Sequence, residues 1–113
     1  MRFRITHLPR ILIIHLKRFS YNSVKLKNPI NFDEEIQIDA EYINLDSKKM
    51  SSEQISKEFN HVYNLYAIIV HEGYCTANGH YYSFVKNQAS GMWFKYDDSD
   101  VKEIGKTLHS VRK

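Results

Sequence analysis

At 113 residues, with 42% hydrophobic content that includes eight Tyr, six Phe and one Trp, the chain has the length of one domain and apolar mass for a modest core, which excludes a disordered polymer. Its longest apolar stretch, Ile11 to Ile14, is far too short to span a bilayer and follows no charged-then-apolar leader, and its single cysteine, Cys75, excludes an internal disulfide and any cysteine-rich zinc site, so a soluble, non-secreted, intracellular chain with no membrane partner is expected. The net charge of +3 divides into seven Lys/Arg and no acid over residues 1–32 against eight acids and three Lys over 33–58; the bases flank apolar strand positions, with no run of interleaved aromatics, so no nucleic-acid partner is expected.

In chain order, Leu8-Pro9 opens a run from Arg10 to Phe19 whose continuous apolar centre predicts a strand buried on both faces, with His15 packed inside it. Pro9 suits the strand entry, where a missing N–H does no harm. Tyr21-Asn22-Ser23 is a turn signal, and Val24 to Lys27 alternates as a half-buried strand that Asn28-Pro29 ends. Glu35 to Asp39 alternates again and predicts an edge strand whose acids discourage further pairing. Residues 44–60 hold only Leu45, Met50, Ile55 and Phe59 as apolar members, which predicts a mobile insertion with at most a helical turn. Tyr63 to His71 predicts a central strand. After Asp98, Ser99 and Asp100 suit the cap of a short helix or turn that Gly105 ends, and Thr107 to Lys113 suits the start of a second helix. The expected fold class is α+β, mainly antiparallel β, with five or six strands.

Between these elements lies the most informative segment. Tyr81 to Val85 and Met92 to Tyr96 are rich in aromatic and branched residues around the polar, glycine-terminated Asn87 to Gly91, and so predict a β-hairpin. The midpoint of His80 and Asp97 falls at the centre of the connection, so the histidine should lie beside Asp97 or Asp98 across the two strands. A carboxylate there can hold the imidazole tautomer and stabilise the imidazolium. Gly79 removes the side chain just before the histidine and lets a substrate backbone come close. The same spacing also fits a surface hairpin carrying an incidental ion pair, and spacing does not decide between them. Cys75 is the one thiol in cis, but no helix N-terminus or flanking base activates it, and no nucleophile is assigned in this chain. The remaining histidines show no metal-ligand spacing, and no metal or cofactor is expected.

Taken in order, Leu8 through Phe19, Tyr63 through Gly73, Gly79-His80-Tyr81 and Trp93 through Ser99 resemble the C-terminal half of ubiquitin-specific protease catalytic domains. The resemblance implies the sheet half of a papain-like cysteine protease domain over residues 1–113, cleaving isopeptide or peptide bonds at the C-terminal glycine of ubiquitin. It implies His80 as general base, Asp97 as the residue orienting it, and Asp98 as a second acid near the oxyanion region. It further implies that His71, Glu72, Gly73, Tyr74 and the loop to Asn78 border the channel for ubiquitin's tail, with Gly79 and Tyr81 lining it. A narrow channel with small and aromatic walls suits a substrate ending in two glycines.

The family's cysteine box, its oxyanion-hole amide and its four-cysteine zinc region have no counterpart here, and the sequence stops where the family would continue. A fragment is therefore expected: inactive alone, completed by an N-terminal half, and prone to self-association through unpaired edges and apolar surface. The alternative is a non-catalytic module that still binds ubiquitin or a partner protein through the same surface.

Overall fold

The computed structural model describes residues 3–39, 42 and 61–108. The expected insertion over 44–60 lies outside them, as does the second helix beyond Thr107 and Leu108. The described residues form six strands, all antiparallel, with no α-helix among them. The chain divides into two compact units, Met1–His15 with Asp33–Asn64, and Leu16–Phe32 with Leu65–Lys113.

In the first unit, β1 (Glu35–Ile38) pairs with β2 (His61–Asn64), from Glu35 opposite Asn64 to Ile38 opposite His61. Ile36 and Ile38 are half-buried while Glu35 and Gln37 are exposed, as a two-residue side-chain period requires. The Tyr63 hydroxyl donates to the Pro9 carbonyl at 2.5 Å.

The second unit is a meander, β3 (Ala67–Glu72), β4 (His80–Lys86), β5 (Trp93–Asp97) and β6 (Asp100–Gly105), side by side in chain order. The β4–β5 connection is built by Asn87. Its side-chain oxygen accepts from the N–H of Ala89 at 3.0 Å and of Ser90 at 3.1 Å, and its backbone closes the loop onto Met92 and Gly91 at 2.8 Å each. Trp93 and Leu108 are fully buried and Phe84 nearly so, with Leu65, Ile68, Val70, Tyr82 and Ile104 packed around them. Burying a side chain such as Phe84 or Leu108 contributes roughly 1.5–3 kcal/mol. The register slips between Trp93 and Phe94, which pair with Gly105 and Glu103, so Ile104 is an extra residue that turns toward this cluster.

Four expectations are corrected. Arg10 to Phe19 is not a doubly buried strand: no strand among the described residues pairs with its apolar centre, and Ile11, Ile13, Ile14, His15 and Leu16 are exposed. The strand over Val24 to Lys27 shrinks to two isolated bridges, Phe19 with Lys25 and Val24 with Cys75, and its alternation is inverted. Lys25 is half-buried between exposed Val24 and Leu26, because its ammonium is held by a backbone carbonyl. Tyr63 to His71 is broken at Leu65-Tyr66 into β2 and β3, and β3 is the edge of its sheet rather than its centre. Finally, Asp100 to Gly105 is strand β6, not helix. Asp98, with φ of 52°, and Ser99 form a two-residue turn that folds the chain straight back, and an aspartate tolerates that left-handed conformation better than most residues.

Candidate active site

The β4–β5 ladder runs from Lys86 opposite Trp93 to Ser83 opposite Tyr96. Continued by one step, it brings Asp97 abreast of Tyr82, so His80 stands two residues beyond Asp97 along the same face. His80, Tyr82, Phe84 and Lys86 on β4 share that face with Trp93, Lys95 and Asp97 on β5. The face is apolar at its Phe84–Trp93 end and ionic at its His80–Asp97 end.

At the ionic end His80 Nε2 donates to Asp97 Oδ1 on the diagonal of the ladder. The other carboxylate oxygen, Oδ2, accepts from Lys95 Nζ at 3.0 Å. Lys95 in turn lies over the Tyr82 ring, 4.2 Å from its centroid, and the His80 ring stands 6.4 Å from that of Tyr82. The hydrogen bond to Asp97 raises the His80 pKa above its ordinary 6.5. Hydrogen bonds from His80 and then Lys95 hold the Asp97 carboxyl below its ordinary 3.8, and Asp97 raises Lys95 in return. Asp98 follows in the exposed turn, and donor atoms of His80, Asp97 and Asp98 lie within 4.8 Å of one another. That spacing could hold a cation, though His80 Nε2 is already engaged by Asp97.

The segment entering β4 is packed from within the chain. The His71 ring, at the end of β3, meets Phe19 edge-on at 5.4 Å and Tyr81 at 4.8 Å. A Cβ on Gly79 would run into that ring and come within 2.7 Å of the Glu72 carbonyl, so the glycine is demanded by His71 as a neighbour. Gly73, with φ of 148°, is equally constrained: a Cβ there would lie 2.6 Å from the Asn78 carbonyl. Glu72 pairs with His80 in the β3–β4 register. Lys25 Nζ donates to the His71 carbonyl, the Lys25 N–H donates to the Tyr74 carbonyl at 3.0 Å, and Val24 bridges Cys75. The Ser20–Leu26 turn thus clasps the Gly73–Gly79 connection. Tyr74 and Tyr81 are exposed, and Lys27 Nζ sits 4.7 Å from the Tyr74 centroid.

His71, Glu72, Gly73, Tyr74, Asn78, Gly79, His80 and Tyr81 are therefore one contiguous strand-loop-strand, and Asp97 with Asp98 closes its end. Lys95 and Lys25 were not singled out in the sequence. Lys95 carried a readable signal, since it lies two residues before Asp97 and must share its face. Lys25 carried none, because its neighbours point the alternation the other way. Chemically, a histidine with one ring nitrogen spent on a carboxylate keeps the other available as a proton acceptor.

Comparison with known proteins agrees in one direction. The family model described as ubiquitin carboxyl-terminal hydrolase matches residues 2–112. Ubiquitin carboxyl-terminal hydrolase 2 of Homo sapiens is 35% identical over 101 residues, covering 88% of the chain and 15% of that protein. Ubiquitin carboxyl-terminal hydrolase 5 of Schizosaccharomyces pombe is 36% identical over 106 residues, 91% of the chain and 9% of that protein. Ubiquitin carboxyl-terminal hydrolase 7 of Drosophila melanogaster is 36% identical over 101 residues, 89% and 8%. The chain spans less than a fifth of the length of these curated relatives.

Proposed function

Because the chain belongs to the ubiquitin carboxyl-terminal hydrolase family, we propose that it supplies the general base and orienting acid of a thiol hydrolase that cleaves peptide and isopeptide bonds after the C-terminal glycine of ubiquitin. What supports this most is the contact of His80 Nε2 with the Asp97 carboxylate. With Nε2–H donated to Asp97, the lone pair of the neutral ring is on Nδ1, which is the proton acceptor. Nδ1 takes the proton of a cysteine thiol, and Asp97 stabilises the imidazolium that results. The thiolate adds to the glycine carbonyl carbon; Nδ1–H then returns its proton to the departing amine as the C–N bond breaks. Water, with Nδ1 again accepting the proton, releases ubiquitin from the thioester.

The thiol belongs to polypeptide outside these residues, the N-terminal half of the catalytic domain. Cys75 is a poor candidate, being half-buried and tied by its bridge to Val24. Asp98 serves as the second acid. His71, Glu72, Gly73, Tyr74, Asn78, Gly79 and Tyr81 border the channel for ubiquitin's diglycine tail, the exposed Tyr74 and Tyr81 rings forming walls. An intracellular setting, where a catalytic thiol stays reduced, is part of the same proposal.

The test is turnover of ubiquitin carrying a C-terminal fluorophore. The 113-residue chain alone is expected to give no release above buffer. Release that is abolished by Cys75→Ser would place the nucleophile in this chain and overturn the proposal.

A further inference from the structure

We propose that Lys95 is a positioning residue for His80, acting by fixing the Asp97 carboxylate from its far side. The inference deepens the reading of Asp97 as the orienter of His80 and rests on it.

Two contacts point this way. Lys95 Nζ lies 3.0 Å from Oδ2 of Asp97 while His80 Nε2 occupies Oδ1, so each carboxylate oxygen has one donor. A carboxylate held at both oxygens has its terminal torsion fixed, whereas one held at a single oxygen turns about that contact. The second contact anchors Lys95 itself: its ammonium sits 4.2 Å from the Tyr82 centroid, and Tyr82 packs against the buried cluster through Phe84, ring to ring at 5.7 Å. The order of a buried core is thereby passed through Tyr82 and Lys95 to Asp97 and so to the imidazole. A flexible lysine over an aromatic face gains a preferred place it would lack in water. The side chains of Lys95 and Asp97 are 31% and 29% exposed, so the contact is partly shielded from solvent.

The other charged and titratable groups around this array do not duplicate the role. On β6, Lys102 is opposite Lys95 and Asp100 opposite Asp97, but those two side chains pair with each other at 3.5 Å. On β3, Glu72 is opposite His80, and Asp98 follows in the turn; both are acids and offer the carboxylate no donor. Tyr82 faces Lys95 from β4.

A lysine acting through orientation and one acting only as a nearby charge predict opposite outcomes. Removing a cation beside His80 raises the imidazole pKa by Coulomb's law, whereas loosening Asp97 weakens the His80 hydrogen bond and lowers it. The experiment is an NMR titration of His80 in the full 113-residue chain, for Lys95→Met and Lys95→Arg in the wild-type and Asp97→Asn backgrounds. Amide spectra check that the sheet is intact, and Lys95→Gln serves as the neutral variant if Lys95→Met does not fold. Lys95→Met is expected to lower the His80 pKa, Lys95→Arg to restore it, and neither to lower it in the Asp97→Asn background. No shift, a rise, or an equal fall in both backgrounds would overturn the role of Lys95. Since no substrate enters the measurement, such a result would leave the hydrolase proposal to its own turnover test.

Discussion

His80 meets Asp97 on a diagonal: the histidine stands two residues past the point at which Asp97 is abreast of β4, and Nε2 reaches Oδ1 across that step. Because the step is even, both side chains stay on one face of the sheet. The site therefore depends on register parity as well as on residue identity. A slip of one residue would send the carboxylate to the opposite face.

The pair makes stability depend on pH with a definite sign. His80 has its folded pKa raised from 6.5, so its contribution is fully present below pH 6.5 and is lost as pH rises through the folded value. Asp97 has its folded pKa lowered from 3.8, so its contribution is present above pH 3.8 and is lost as pH falls through the folded value. Urea midpoints of the wild type and Asp97→Asn should therefore differ most between pH 3.8 and 6.5, converge as pH falls through the folded value of Asp97, and keep a smaller difference above that of His80, where Lys95 still pairs with Asp97. A difference independent of pH would show that the pair is not linked to folding.

Gly79 has no room for a methyl group against the His71 ring and the Glu72 carbonyl. Gly79→Ala should cost about 1–3 kcal/mol in denaturant unfolding. Trimming the ring in Gly79→Ala/His71→Ala should recover part of that loss, whereas simple additivity of the two single changes would mean that they do not share this contact.

Lys25 holds the loop that leads into His80 through the His71 carbonyl. A hydrogen bond from a charged donor is worth roughly 1.5–3 kcal/mol, so Lys25→Met should speed amide exchange in Gly73–Gly79 by at least about tenfold. Exchange in β5, around Trp93, should be unchanged. Uniform acceleration across both would indicate general destabilisation instead.

Exposed Ile11, Ile13, Ile14 and Leu16, with Ile69 on the sheet edge, predict self-association of the isolated chain. Sedimentation velocity should show a weight-average mass that rises with concentration. A single monomeric boundary at high concentration would count against it.

Strand periodicity made much of this architecture readable. The β4–β5 hairpin was marked by its aromatic runs and by Asn87 to Gly91, and β1 by the alternation from Glu35. The two-residue slip was hidden, because the connection's length fixes a midpoint only if its turn is symmetric, and Asn87 caps one side of it. Lys25 defeated the alternation by pointing inward to a carbonyl that no local pattern announces. Arg10 to Phe19 defeated it differently: an apolar run does not show whether anything covers it. At the ionic end, Asp97 was readable from spacing as a neighbour of His80 and Lys95 from its two-residue offset from Asp97, but the seat of Lys95 over the Tyr82 ring depends on the β4–β5 register.

That Asp97 governs the protonation of His80 is the central claim, and a pH titration of ¹⁵N-labelled histidine tests it most directly. His80 should titrate above 6.5 in the wild type and fall back toward 6.5 in Asp97→Asn, with its neutral form protonated on Nε2. A His80 pKa that Asp97→Asn leaves unchanged would contradict the account.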